Sequence, residues 1–212
     1  MTDFLYPFIE ADERDAGPLL VDLAASADAK AAESLRLRAA TLESCGADLH
    51  HAATAMAERF EGGGRLFTFG NGGSATDAAG IAALFRRPPW GRALPARSLV
   101  ADEAVLTALG NDVGFDLVFS RQLIAHGRPG DIAFGLSTSG NSVNLLHAFE
   151  EGRRRGLLTV GMAGYNGGQM GGSGLDHCLV VSADSVHRIQ ETEAALMFEL
   201  WSAVQAVLAG AP

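Results

Sequence analysis

Short, unbroken apolar runs alternate along this chain with longer stretches in which apolar residues recur every three or four positions. The runs are Arg65 to Phe69, Ala96 to Val100, Asp131 to Leu136, Leu157 to Ala163 and Cys178 to Ser182. A run that is apolar throughout, rather than at every second residue, buries both of its faces, as strands do in a parallel sheet covered by helices. The pattern predicts an α/β protein: a three-layer α/β/α sandwich around a five-stranded parallel sheet. Ahead of the first strand, Leu19 to Phe60 is rich in Ala, Leu and Glu. It predicts two helices, interrupted near Ser26 to Asp28 and closed by Gly62-Gly63-Gly64. The last helix has the clearest stripe, with Leu196, Met197, Leu200, Trp201, Val204, Val207 and Leu208 at three- and four-residue steps. So wide a stripe has to be covered, either by its own sheet or in a subunit interface shared with the N-terminal helices. Residues 1–17, with Pro7, Gly17 and little periodicity, read as an arm that orders against a neighbour. Residues 18–212 then form a single domain, with 18–61 as its helical extension.

Composition narrows the class of partner. With 48% hydrophobic residues in 212 the chain can bury a full core. Sixteen Lys and Arg against 25 Asp and Glu leave a net charge of −9, which argues against nucleic acid, whose binding relies on a basic surface. Cys45 and Cys178 stand alone, without metal-ligand or disulfide spacing, and read as isolated, mostly buried thiols. No leader pattern and no apolar stretch of bilayer length is visible. A soluble, cytoplasmic protein with no membrane partner is expected.

Candidate chemistry gathers where strands end, because ligands of open parallel sheets collect at the carboxyl edge. After the first strand comes Gly70-Asn71-Gly72-Gly73-Ser74, leading into a helix from Ala75 to about Phe85. Its glycines allow close backbone approach to a ligand, and Asn71 and Ser74 can hydrogen-bond sugar hydroxyls or phosphate oxygens; a tight turn with a Ser cap is the plainer alternative. After the second strand, Asp102 and Glu103, and later Gly110-Asn111-Asp112, are partners for hydroxyls or else helix caps. After the third comes Ser137-Thr138-Ser139-Gly140-Asn141-Ser142, before a helix whose apolar face is Leu145, Leu146 and Phe149. Free N–H groups of the first helical turn, the helix dipole and four hydroxyls all offer positive or donating groups there, which suits a phosphate. One cap needs one hydroxyl, not four.

Taken in order, Gly70 to Ser74, Gly110-Asn-Asp-Val-Gly-Phe115, Ser137 to Ser142 and Arg188-Ile-Gln-Glu191 resemble the successive motifs of sugar isomerase (SIS) domains of the phosphoheptose isomerase group. The same group includes the replication-initiator-associating protein, which acts by binding another protein. The resemblance implies the SIS fold with flavodoxin-like winding, and a homotetramer with clefts between subunits. It also implies a phosphorylated sugar whose phosphate is held by Ser137, Thr138, Ser139 and Ser142. Asn71, Gly72 and Ser74 would contact the sugar, and Asp102 would line the cleft.

The family reaction moves a carbonyl between C1 and C2 of sedoheptulose 7-phosphate and needs an acid and a base. The family places a His and a Glu six and ten residues beyond the loop serine, and a His eight residues after the Gln of the last motif. Counted from Ser74 and Gln190, those places hold Gly80, Leu84 and Phe198. Some members bind zinc through the same four side chains; here only Gln190 remains, and Gly, Leu and Phe neither ligate a metal nor move a proton. No metal and no other cofactor is expected. The resulting expectation is a phosphosugar-binding or regulatory protein, with a protein partner as one outlet. The alternative is an aldose-ketose isomerase with a rebuilt acid-base site, since His187, Gln190, Glu191 and Glu193 share the neighbourhood and a His beside a carboxylate can work near neutral pH. A surface His with ordinary helix carboxylates accounts for the same residues.

Four further segments read as structure first. His50 and His51 are adjacent on a helix and point apart. Arg153 to Arg155 suit a helix C-terminus. Arg86-Arg87-Pro88-Pro89-Trp90-Gly91-Arg92 reads as a loop that could also close over a neighbour's cleft or dock a partner. Gly164 to Gly172 reads as a mobile loop at the ligand edge.

Overall fold

The computed structural model describes residues 17–210, and the arm expected over 1–17 lies almost wholly outside them. The described chain divides between Arg36 and Leu37 into two compact units. The first carries the N-terminal part of helix α1 (Gly17–Glu61), on which Leu19, Leu20, Val21, Leu23 and Leu35 are exposed. The expected break near Ser26 to Asp28 is absent: α1 is one helix of 45 residues. Ser and Asp are middling helix formers rather than breakers, and the flanking Ala and Leu carry the helix through them. It stops at the glycine triplet, where Gly62 and Gly64 donate to the carbonyls of Glu58 and Arg59, and Gly63 takes φ 81°. That is the left-handed glycine ending that satisfies orphan carbonyls.

The second unit, from Leu37 onward, holds the sheet. Its strands are β1 (Leu66–Gly70), β2 (Ala96–Ser98), β3 (Ile132–Ser137), β4 (Leu158–Gly164) and β5 (His177–Val181), all parallel in the order β2-β1-β3-β4-β5. This is the flavodoxin-like winding, and it puts its switch point between the loops that follow β1 and β3. The connecting helices are α2 (Gly73–Arg86), α3 (Glu103–Asp112), α4 (Val118–His126), α5 (Val143–Arg154), α6 (Gly168–Gly172) and α7 (Val186–Leu208).

Alternate residues of each strand feed opposite cores. Leu66, Ile132, Phe134 and Leu136 face α1, α2 and α7, packing with Met56, Phe60, Phe85 and Trp201. Phe67, Phe69 and Ala133 face the other helices, where the Phe69 ring meets Phe119 at 5.4 Å and Phe149 at 5.1 Å. Each of these fully enclosed large side chains contributes about 1.5–3 kcal/mol. The stripe of α7 is covered by its own sheet together with α2. At the amino edge, buried Asp131 accepts from the Arg65 and Arg128 backbone amides at 2.8 and 2.9 Å and pairs with the Arg65 guanidinium at 2.7 Å. This ties the start of β3 to that of β1.

The two thiols are unpaired, and burial pushes Cys178 up to about 11. No helix among the described residues is long and apolar enough to cross a membrane. The Trp90 segment is fixed rather than loose. Gln205 accepts from the Arg92 amide at 2.8 Å and donates to its carbonyl at 2.9 Å, and the Trp90 ring lies 4.6 Å from Trp201. Arg153 likewise reaches the carbonyls of Ser173 and Gly174, while Arg154 and Arg155 pair with Glu151.

Candidate functional site

The loop after β3 gathers its hydroxyls. Ser137 Oγ lies 2.9 Å from Ser142 Oγ and 3.5 Å from Ser139 Oγ. Ser142 is the N-cap residue of α5, yet its side chain makes no capping bond, so the hydroxyls face one another at the positive end of a twelve-residue helix. The turn is held from behind by the glycine-rich segment after β4. Gly164 donates to the Thr138 carbonyl at 3.0 Å, Met170 to the Gly140 carbonyl at 2.9 Å, and Gln169 to Asn141 Oδ1 at 3.0 Å. Gly140 has φ 64°, and a Cβ on it would collide with the Gly167 carbonyl. That segment, expected to be mobile, is thus the backing of the hydroxyl loop.

Asn71 faces this loop from the end of β1. Its amide pairs reciprocally with Asn144 on the first turn of α5, at 2.9 and 3.0 Å. Asn144 is buried and was not singled out by the sequence; the available signal was its place two residues after Ser142, facing the switch point. Gly70 must be glycine because a Cβ would stand 2.5 Å from the Ser74 carbonyl, and Gly72 turns with φ 56°. Ser74 is buried beneath the turn. Beside it opens a cleft of about 450 Å³ between Gly70, Asn71, Gly72, Ala75 and Ala79 on one side and Val100, Leu106 and Phe119 on the other. Asp102 caps α3, its carboxylate accepting from the Val105 amide at 3.0 Å.

Of the residues on the first turns of α7, Gln190 reaches the site: its amide lies where a side chain on Gly73 would be. His187 is exposed, and the Glu191 carboxylate is ion-paired with Arg188 at 2.7 Å. One turn further, Glu193 is fully enclosed, with no hydrogen-bond partner for either oxygen. Burial, reinforced by the negative charge of Asp77 on α2, pushes its carboxyl up to about 7. Burial also pushes the Asp77 carboxyl up. The signal for Glu193 was in the sequence: it sits on the apolar stripe four residues after Ile189 and three before Leu196.

The three positions that would carry acid, base and metal hold none of these. Gly80 is exposed, with open space where a side chain would begin. Leu84 packs on the core, and Phe198, 46% exposed, rests 5.2 Å from the Trp201 ring. Among the described residues no three His, Cys, Asp or Glu side chains stand close enough to hold a metal ion. The donor set therefore does not fit zinc.

The sequence profile of the SIS domain matches residues 31–164. The chain is 41% identical over 161 residues to the phosphoheptose isomerase of Rhodospirillum rubrum, covering 73% of this chain and 83% of that protein. It is 44% identical over 151 residues to that of Solidesulfovibrio magneticus, covering 68% and 71%. Among solved structures, a phosphoheptose isomerase from Neisseria gonorrhoeae superposes with a TM-score of 0.81 at 34% identity, over 87% of this chain and 99% of that one.

Proposed function

For a chain that belongs to the SIS-domain family, in its phosphoheptose isomerase group, we propose a phosphosugar-binding role without the isomerase chemistry of its relatives. The observation that carries this reading is the meeting of Ser137, Ser139 and Ser142 at the N-terminus of α5, with no side chain of the protein capping that end. A phosphate there takes hydrogen bonds from backbone amides and hydroxyls and lies along the helix dipole. Asn71, Gly72 and Ser74 border the sugar on the β1 side, and Asn144 fixes the Asn71 amide in place. A ligand that binds only the folded chain stabilises it, by about 2.7 kcal/mol at a hundred times its Kd.

Gly80, Leu84 and Phe198 support the absence of isomerase chemistry, because no proton acceptor stands at any of them. The competing reading is an aldose-ketose isomerase that uses His187 and Glu191. It draws on the isomerase names of the relatives, while the Arg188–Glu191 ion pair counts against it. A homotetramer and a protein partner belong to the proposal as the setting in which a non-catalytic binder would act.

One experiment tests the reading. Sedoheptulose 7-phosphate should raise the unfolding temperature and be recovered unconverted, with or without added zinc. Replacing Ser139 and Ser142 by Ala removes two charge-assisted hydrogen bonds of about 1.5–3 kcal/mol each, so binding should weaken by about a hundredfold or more. Formation of the aldose isomer, lost on Gln190→Ala, would refute the non-catalytic reading. An unchanged shift in the double Ser variant would refute the cradle.

A further inference from the structure

Glu193 has no part in the phosphate cradle, yet its surroundings link it to the loop that borders the sugar. It is fully enclosed, and neither oxygen has a hydrogen-bond partner, an arrangement that is rare in native structures and calls for a reason. It stands on the face of α7 that packs against α2. Two links between these helices lie one turn apart. Gln190 presses on Gly73, where the β1 loop becomes α2, and Glu193, one turn on along α7, feels Asp77, one turn on along α2.

No cation answers this pair of carboxyls. Arg188 is held by Glu191, and Arg38 on α1 by Glu199. Strand β4 has no charged side chain. On β5, His177 responds to Asp176, His51 and Asp48 rather than to Glu193. Asp77 is the charged group that reaches Glu193. A neutral Glu193 lets α2 lie flat on α7. An ionised one sets two like charges in an enclosed contact, where their repulsion is little screened.

We propose that Glu193 is a positioning residue whose proton keeps the ligand site assembled: loss of that proton drives α2 from α7, withdraws Gly73 from Gln190 and loosens Asn71 beside the cradle. The inference rests on the phosphosugar-binding reading and adds its regulation, a weakening of affinity as Glu193 ionises. The group acts through α2 and its loop and does not touch the ligand.

The test is the affinity for sedoheptulose 7-phosphate, measured by calorimetry from pH 6 to pH 8.5 in the wild type, Glu193→Gln and Asp77→Asn. Ionisation of the phosphate itself affects all three alike, so the informative quantity is the ratio of wild-type to variant affinity. Glu193→Gln keeps the shape and cannot ionise. The wild type should lose about tenfold against it across this range, a coupling of ordinary size. Asp77→Asn removes the like charge and should reduce the loss, and it serves as the test if Glu193→Gln does not fold. A ratio that stays constant with pH overturns the inference and leaves the cradle standing, provided that binding still depends on Ser139 and Ser142. Absence of binding by the wild type at every pH overturns both.

Discussion

Replacing Glu193 by Gln should change how the stability of the folded chain depends on pH, and the size of the change follows from the burial of this carboxyl. Glu193 ordinarily titrates at 4.5 and is pushed up to about 7 in the folded state. Between those values the unfolded chain has released this proton and the folded chain still holds it. Stability therefore falls as pH rises whenever the folded state binds more protons. The contribution is fully present below about pH 4.5, declines through the interval and is lost once pH passes about 7. At roughly 1.4 kcal/mol per pH unit over this interval, the loss is about 3 kcal/mol. Gln at the same place also leaves an enclosed polar group without a partner, but that cost does not vary with pH. The slope, not the level, is thus the signature. Urea unfolding of wild type and Glu193→Gln at half-unit steps from pH 4.5 to 8 should give curves that diverge by about 3 kcal/mol in favour of the variant. Asp77, also raised by burial, titrates in both proteins and largely cancels in the difference. Parallel curves would refute the reasoning, because they would mean that Glu193 takes up no proton on folding.

Three other substitutions test the framework around the site. Asp131→Ala leaves the Arg65 guanidinium and two backbone amides without their acceptor and should cost about 3–5 kcal/mol in denaturant unfolding. Gly135→Ala places a methyl 2.6 Å from the Phe149 ring and 2.7 Å from that of Phe69, so it should cost about 1–3 kcal/mol, read from the same experiment. Tyr165, at φ 52°, is the non-glycine residue with positive φ among the described residues. Tyr165→Gly should relieve about 1–2 kcal/mol of backbone strain against about 0.5–1 of added chain entropy, for a net gain below about 1.5 kcal/mol in thermal unfolding.

The sheet was legible because its strands are apolar on both faces, and a continuous apolar run leaves few other places to lie. The helix boundaries were less so. Ser26 to Asp28 looks like an interruption only if weak helix formers are counted as breakers, and α1 runs through it. The loops were legible from their chemistry, since glycines and hydroxyls at the ends of strands have few purely structural uses. What sequence spacing did not give was the partner of each polar group. Asn71 could have faced a sugar or a neighbour; its partner is Asn144, 73 residues away. Asp102 could have lined a cleft or capped a helix, and its carboxylate accepts from the Val105 amide. Trp90 looked free to reach another molecule, but Gln205 and Trp201 hold its loop from a helix that begins nearly a hundred residues later.

The separation of binding from chemistry has its cause in where each is built. The cradle is made of short side chains and backbone amides at the ends of β1 and β3, adjacent strands in register from Leu66 with Ile132 to Gly70 with Leu136. A change there disturbs the sheet itself: a Cβ on Gly70 or Gly140 meets backbone, not a movable side chain. The positions from which relatives would supply acid and base project instead from the middle of α2 and α7, where the fold places no such demand. Gly80 can lack a side chain at the surface, Leu84 adds to the core, and Phe198 rests on Trp201. Each replacement is compatible with the helix that bears it, so proton-transfer groups can be lost one at a time without cost to the architecture that holds a phosphate. Glu193 fits the same logic from the other direction. An ionisable group retained on the enclosed stripe of α7 does cost stability, and its position between the phosphate-side loop and Asp77 gives that cost a physical use.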